Sequence, residues 1–208
     1  MAARFGVLLS GCGAYDGSDL HEAVLTLLAL ERRKTRPVCI APQRPQLDVV
    51  DHLSGQVRHG EGRQVWEEAA RIARGKLERP DSPLYSALLG MVVVGGFGAA
   101  KNLMLGFAQP GEPRTLEPSV HRMLASLREA GRPLGAVGLG KVILSALEGE
   151  DLFEGAESGS ADSVVSDPGR RLFFAPGFLG AGRLPEVSAG IDRMVEAMLA
   201  IPVLKVVE

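Results

Sequence analysis

Along the chain, short uninterrupted apolar runs alternate with longer stretches whose apolar positions recur every three or four residues. Residues 4–10 read as a first strand. Residues 19–32 read as a helix whose Ala23, Leu25, Leu27, Leu28 and Leu30 supply the apolar positions. A second strand follows at 37–40, closed by Ala41-Pro42, and a helix at 65–77 carries Glu67, Glu68, Arg71 and Arg74 on its wet side. Residues 91–94 are continuously apolar, as in a strand buried on both faces of a parallel sheet. Helices at 118–130, 142–147 and 186–200 alternate with strands at 134–139 and 171–174. The first of these helices opens on Pro118, at a position where no backbone N–H is needed. Residues 149–169, rich in Gly, Ser, Asp and Glu, read as a loop excursion. Strand–helix alternation with glycine-rich loops just past the strands predicts an α/β fold, a doubly wound and mainly parallel sheet with helices on both faces. Residues 1–208 are expected to form one domain without internal repeats.

Composition narrows this picture. Hydrophobic residues make up 46% and charged residues 23%, which excludes disorder as a description of the whole chain. Aromatics are only 5%, so the core must be aliphatic, while 26 glycines and 13 prolines mark a turn-rich chain. A net charge of −2 argues against a nucleic-acid-binding surface or a polybasic membrane anchor. Two cysteines, Cys12 and Cys39, cannot build a disulfide framework. Leu9-Ser10-Gly11-Cys12 has the form of a lipoprotein processing site, but the apolar stretch before it is too short for a signal sequence. The uncharged stretch 82–100 is interrupted by Pro83, Gly90, Gly95, Gly96 and Gly98, which argues against a membrane span. A cytoplasmic protein is the expectation.

Candidate chemistry lies in the loops. Gly11 and Gly13 flank Cys12 after the first strand without the spacing of a dinucleotide fingerprint, and no phosphate-binding P-loop occurs, so no cofactor is expected. Gly95-Gly96-Phe97-Gly98 either presents backbone N–H groups as an anion nest or oxyanion hole, or simply turns the chain. Asp19-Leu20-His21-Glu22 has the spacing of a capping box, the favoured reading on sequence alone; Glu22 is otherwise a candidate general base or hydrogen-bonding acid. The histidines at 21, 52, 59 and 121 show no metal-ligand spacing, so no metal is expected. No Gly-x-Ser-x-Gly elbow is present.

The runs Ser10-Gly11-Cys12-Gly13-Ala14-Tyr15-Asp16-Gly17, His21-Glu22-Ala23, Ala41-Pro42, Asp51-His52, residues 70–76 and Gly95-Gly96-Phe97-Gly98-Ala99-Ala100-Lys101-Asn102-Leu103 resemble the ElbB-like family. That family belongs to the PfpI-type, class I glutamine amidotransferase-like superfamily and includes a mitochondrial vertebrate branch. The resemblance runs from residue 4 to about residue 148. It implies a flavodoxin-like sandwich, a homodimer, and the glyoxalase-type activity of some bacterial members. It also implies a ligand site at Gly11, Gly96, Phe97, Gly98, Lys101 and Asn102.

One departure from the family is decisive for chemistry. Where members carry a nucleophilic cysteine on a strand-to-helix turn, the aligned run here is Gly135-Ala136-Val137-Gly138-Leu139-Gly140-Lys141, and the nucleophile position is Gly138. Without a thiol no covalent intermediate forms there. No histidine follows His121, so a base from that region is missing too. Two readings follow. The favoured one is a non-catalytic ElbB-like homologue acting as a small-molecule-binding or interaction protein, without nucleic-acid or membrane partners. The rival is a glyoxalase-type lyase or amidase-like hydrolase with relocated chemistry, using Glu22 with Cys12 as the thiol. Glu22, Gly96, Phe97 and Gly138 are expected to converge at the carboxyl edge of the sheet, with Cys12 at the rim. If the chain is a vertebrate one, the mitochondrial matrix replaces the cytoplasm as the expected compartment.

Overall fold

The computed structural model describes residues 3–107, 114–180 and 182–202. Its elements run β1 (Arg4–Leu8), α1 (Leu20–Arg32), β2 (Arg36–Ile40), α2 (Val65–Ile72), β3 (Leu77–Glu78), β4 (Met91–Val93) and α3 (Phe97–Leu103). A small hairpin follows, β5 (Met104–Leu105) with β6 (Thr115–Leu116), then α4 (Pro118–Glu129), β7 (Leu134–Val137) and α5 (Lys141–Glu148). The chain continues through β8 (Val165–Asp167) and β9 (Leu172–Ala175) to α6 (Leu184–Ala200). Seven strands form one sheet in the order β3-β2-β1-β4-β7-β9-β8. All pairings are parallel except that of β8 with β9. The fold is a flavodoxin-like α/β sandwich.

The period-two rule divides each strand between two cores. Phe5, Val7 and Leu9, with Val92, Val94, Val137 and Phe173, face the layer made by α1, α2 and α6. Their neighbours Leu8, Met91, Val93, Leu134 and Phe174 face the layer containing α3, α4 and α5. Burial on both faces explains why the central strands read as continuous apolar runs rather than alternating ones.

Three expectations are corrected. The helix from Val65 ends at Ile72, short of 77, because Arg74 (φ 53°) and Gly75 (φ 77°) turn the chain so that Leu77 and Glu78 can extend the sheet beside β2. The strand from Leu134 ends at Val137, because Gly138 takes φ 53° and leaves the sheet. The excursion 149–169 contains strand β8, whose half-exposed position on the sheet edge gives no apolar run to read. The glycine run 95–98 also conceals the start of a helix, α3, whose buried face packs small residues: Gly98, Ala99 and Ala100.

Candidate functional site

Strand β1 connects through α1 to β2 on one side, whereas β4 lies on its other side, so the strand order reverses between β1 and β4. In open α/β sheets this switch point opens the crevice at the carboxyl ends of the strands. Glu22 stands there. It is 2% exposed, in the first turn of α1.

The capping-box reading of Glu22 fails. Asp19 alone caps α1, accepting from the N–H groups of His21 (2.9 Å) and Glu22 (3.1 Å). The Asp19 N–H, which a capping-box glutamate would bind, donates instead to the Gly95 carbonyl at 2.9 Å. The Glu22 side chain crosses to the sheet edge, where Oε1 accepts the Phe178 N–H at 3.0 Å. Its Oε2 has no hydrogen-bond partner of good geometry among the described residues. Burial pushes the carboxyl pKa up to about 8. The Phe178 N–H pulls the other way, the Asp19 charge adds to the rise, and the Gly95 N–H opposes it.

Glycines wall this carboxyl. A Cβ on Gly138 would stand 2.6 Å from Oε1 and 2.9 Å from Oε2, and one on Gly95 would stand 2.5 Å from Oε2. A Cβ on Gly177, which follows β9 and takes φ 59°, would overlap Oε1. The acid therefore fills the space into which a side chain at position 138 would project. Gly138 keeps the left-handed backbone of a strand-to-helix elbow, a conformation glycine adopts without steric cost. Gly177 and Phe178 were not singled out from the sequence, and Gly95 only as part of the glycine run 95–98. The glycine after the late strand at 171–174 was the available signal.

The first loop is locked to its neighbours by backbone and amide contacts. A Cβ on Gly96 or Gly98 would strike the backbone of Gly17, so these glycines permit close chain packing. The N–H groups of Phe97 and Gly98 donate to the carbonyls of Ala14 (2.7 Å) and Gly17 (3.1 Å), which removes both from any anion nest. Gly11 (φ 108°) is buried against Gln46. Asn102 is 1% exposed. It donates to the carbonyls of Ser10 and Asp16, each at 2.9 Å, and accepts the Leu47 N–H at 2.9 Å. Lys101 pairs with Asp48 at 2.7 Å. Together they pin residues 43–64 over the loop. Asp16 is 1% exposed and accepts the Val50 N–H at 2.8 Å. His52 bonds Tyr15 N–H through Nε2 at 3.3 Å and stacks on the Tyr15 ring at 4.9 Å. Phe97 is 48% exposed, at the mouth of the crevice beside Tyr15.

Cys12 is half-buried against the core that contains α2. Burial pushes its thiol pKa up and the Glu68 charge adds to this, against a smaller pull from Arg71. The charges acting on it come from Glu68, Arg71, Asp16 and Arg63, and Glu22 is not among them. An activated thiol needs the opposite, an electropositive and exposed setting. Among the described residues no cluster of His, Cys, Asp or Glu is placed to hold a metal ion, and no helix is long and apolar enough to cross a membrane.

No family model matches the chain. Among curated proteins, it is 32% identical over 225 residues to the human protein named glutamine amidotransferase-like class 1 domain-containing protein 3, mitochondrial, covering 96% of this chain and 84% of that one. It is 31% identical over 224 residues to the rat protein named ES1 protein homolog, mitochondrial, with the same coverage of 96% and 84%. Among solved structures, an isoprenoid biosynthesis protein with an amidotransferase-like domain from Ehrlichia chaffeensis superposes with a TM-score of 0.85. That pair is 28% identical, over 94% of this chain and 98% of the other.

Proposed function

The chain belongs to the family of glutamine amidotransferase-like class 1 domain proteins, and from that premise we propose that it is a non-catalytic, ElbB-like member, a small-molecule-binding or interaction protein that acts as a homodimer. The observation that carries this reading is the occupied elbow: Gly138 has no side chain, and the Glu22 carboxyl takes the space a nucleophile would need. Covalent catalysis of glyoxalase or amidase type forms a bond from a side-chain nucleophile to a carbonyl carbon, and position 138 offers none. The ElbB-like placement rests on the runs around Cys12 and Lys101. The names of the two mammalian relatives favour a mitochondrial compartment over the cytoplasmic expectation.

The relocated-chemistry reading requires Cys12 as a thiolate near Glu22, and the raised thiol pKa and the source of its charges both oppose it. Alkylation by iodoacetamide across pH 6 to 10, followed by peptide mass spectrometry, tests this point. Cys12 is expected to react no faster than a free thiol of ordinary pKa, about 8.5, at every pH. Rapid alkylation at pH 6 would restore the relocated enzyme as the better reading.

A further inference from the structure

Helix α1 packs against both α2 and α6, and it buries Glu22, Ala23, Thr26, Ala29 and Leu30 toward the sheet. Its opposite face is apolar as well. Leu20, Val24 and Leu28 are 45%, 48% and 39% exposed, and their spacing of four places them on one line pointing away from the sheet. A surface helix ordinarily turns charged and polar residues to water. The other long helices do so: α2 exposes Glu67 and Arg71, α4 exposes His121, Arg122 and Glu129, and α6 exposes Arg193 and Glu196. Helix propensity does not account for the difference, because a β-branched valine is a poorer helix former than the lysine or glutamate that an exposed position accepts. Phe178, 42% exposed, meets the edge of the His21 ring at 5.9 Å and carries the apolar surface past the first turn of α1. The face thus has an apolar centre on α1 and a charged rim on α2 and α6, the anatomy of a protein interface.

The occupant that fits this stripe is its own copy. A closed two-fold contact requires a patch complementary to itself. Residues spaced i, i+4, i+8 form a ridge, and two such ridges interdigitate when the helices cross at about 50°. The stripe is symmetric in size about Val24. A two-fold axis there sets Val24 against its copy and each Leu20 against Leu28 of the second copy. The same antiparallel crossing brings Glu31, which has no ion pair among the described residues, toward the positive N-terminal end of the other α1.

We propose that two copies of this chain associate through the outward face of α1, crossing at Val24. The inference rests on the homodimer reading above and assigns its contact face. The test is sedimentation velocity on the purified full chain and its variants, with circular dichroism as a check on folding. The wild type is expected to be a dimer. Val24→Glu buries a charge at the crossing point and is expected to raise the dissociation constant about a hundredfold or more. Position 24 is exposed in the single chain, so the variant is expected to keep its helical content. Arg122→Glu, exposed on α4 across the sheet, must leave the dimer intact. Val24→Cys is expected to form an interchain disulfide under diamide, and Glu67→Cys, on the rim, is not. A monomeric wild type would overturn this inference and the homodimer reading together, and would leave the face to a different partner. A wild-type dimer that persists in Val24→Glu, is lost in Arg122→Glu, or gives no interchain disulfide with Val24→Cys would overturn the inference alone.

Discussion

At the scale of single residues, the account turns on a buried acid enclosed by glycines. Glu22 ionises near 4.3 in an unfolded chain and at about 8 in the folded one, so between these values the folded state holds a proton that the unfolded state has released. Its contribution to stability is complete below the unfolded value and is lost as pH rises through the folded one, a change of roughly 3–5 kcal/mol. Glu22→Gln keeps an acceptor for the Phe178 N–H and removes the titration. In denaturant melts, the variant is expected to gain on the wild type steadily from pH 5 to pH 8.5; a difference that stays constant with pH contradicts the assignment. Gly138→Ala is expected to destabilise by roughly 2–4 kcal/mol, from the left-handed backbone and from the overlap with Glu22. Gly138→Cys meets the same obstacle, so restoring the thiol is expected to lower the melting temperature without creating turnover. The role of Glu22 was illegible locally, since Asp-x-x-Glu before an apolar run has the same spacing as a capping box. What decides it is the Phe178 N–H, 156 residues away in sequence.

At the scale of elements, α3 braces the loops around the crevice. Asn102 satisfies two buried carbonyls and the part-buried Leu47 N–H, on segments far apart in sequence. Asn102→Ala removes these bonds, although Gln46 still donates to the Asp16 carbonyl at 3.0 Å, and is expected to cost roughly 1–3 kcal/mol. Amide hydrogen exchange should accelerate at Leu47 before the sheet is affected; uniform acceleration across the chain would deny Asn102 this bracing role. A second brace is Glu148 at the end of α5, which accepts from Arg128 of α4 and Arg170 before β9, each at 2.7 Å. Burial pushes the Glu148 pKa up, but the two guanidiniums outweigh it and hold the carboxyl below its ordinary value. Its stabilisation is therefore present above the ordinary carboxylate pKa and is lost as pH falls through the lowered one. Thermal melts should show Glu148→Gln destabilised at neutral pH, with the deficit shrinking toward pH 3. Strand and helix order followed from the apolar runs because both faces of the sheet are covered. Helix α3 was hidden because its buried face is built from glycine and alanine, which leave no apolar periodicity.

At the scale of the whole molecule, the two ends of the sheet have different characters. The carboxyl end, where this architecture places its crevice, is filled by the Glu22 carboxyl and closed by loops that bond one another. The amino end carries an open groove. That position 138 carries glycine, on which the proposed loss of the covalent route rests, was legible in the sequence. That an acid fills the vacated space was not, because it depends on Gly95, Gly138 and Gly177 meeting from three strand ends. The claim at the centre of this account is the proposal that the family scaffold here is non-catalytic. The most direct measurement is consumption of methylglyoxal by the purified wild-type chain, beside Cys12→Ser and Glu22→Gln. The account predicts no consumption above the rate with heat-denatured protein in any of the three. Sustained turnover by the wild type that disappears in Cys12→Ser would contradict it and establish a relocated thiol, and turnover lost only in Glu22→Gln would contradict it in favour of acid–base catalysis.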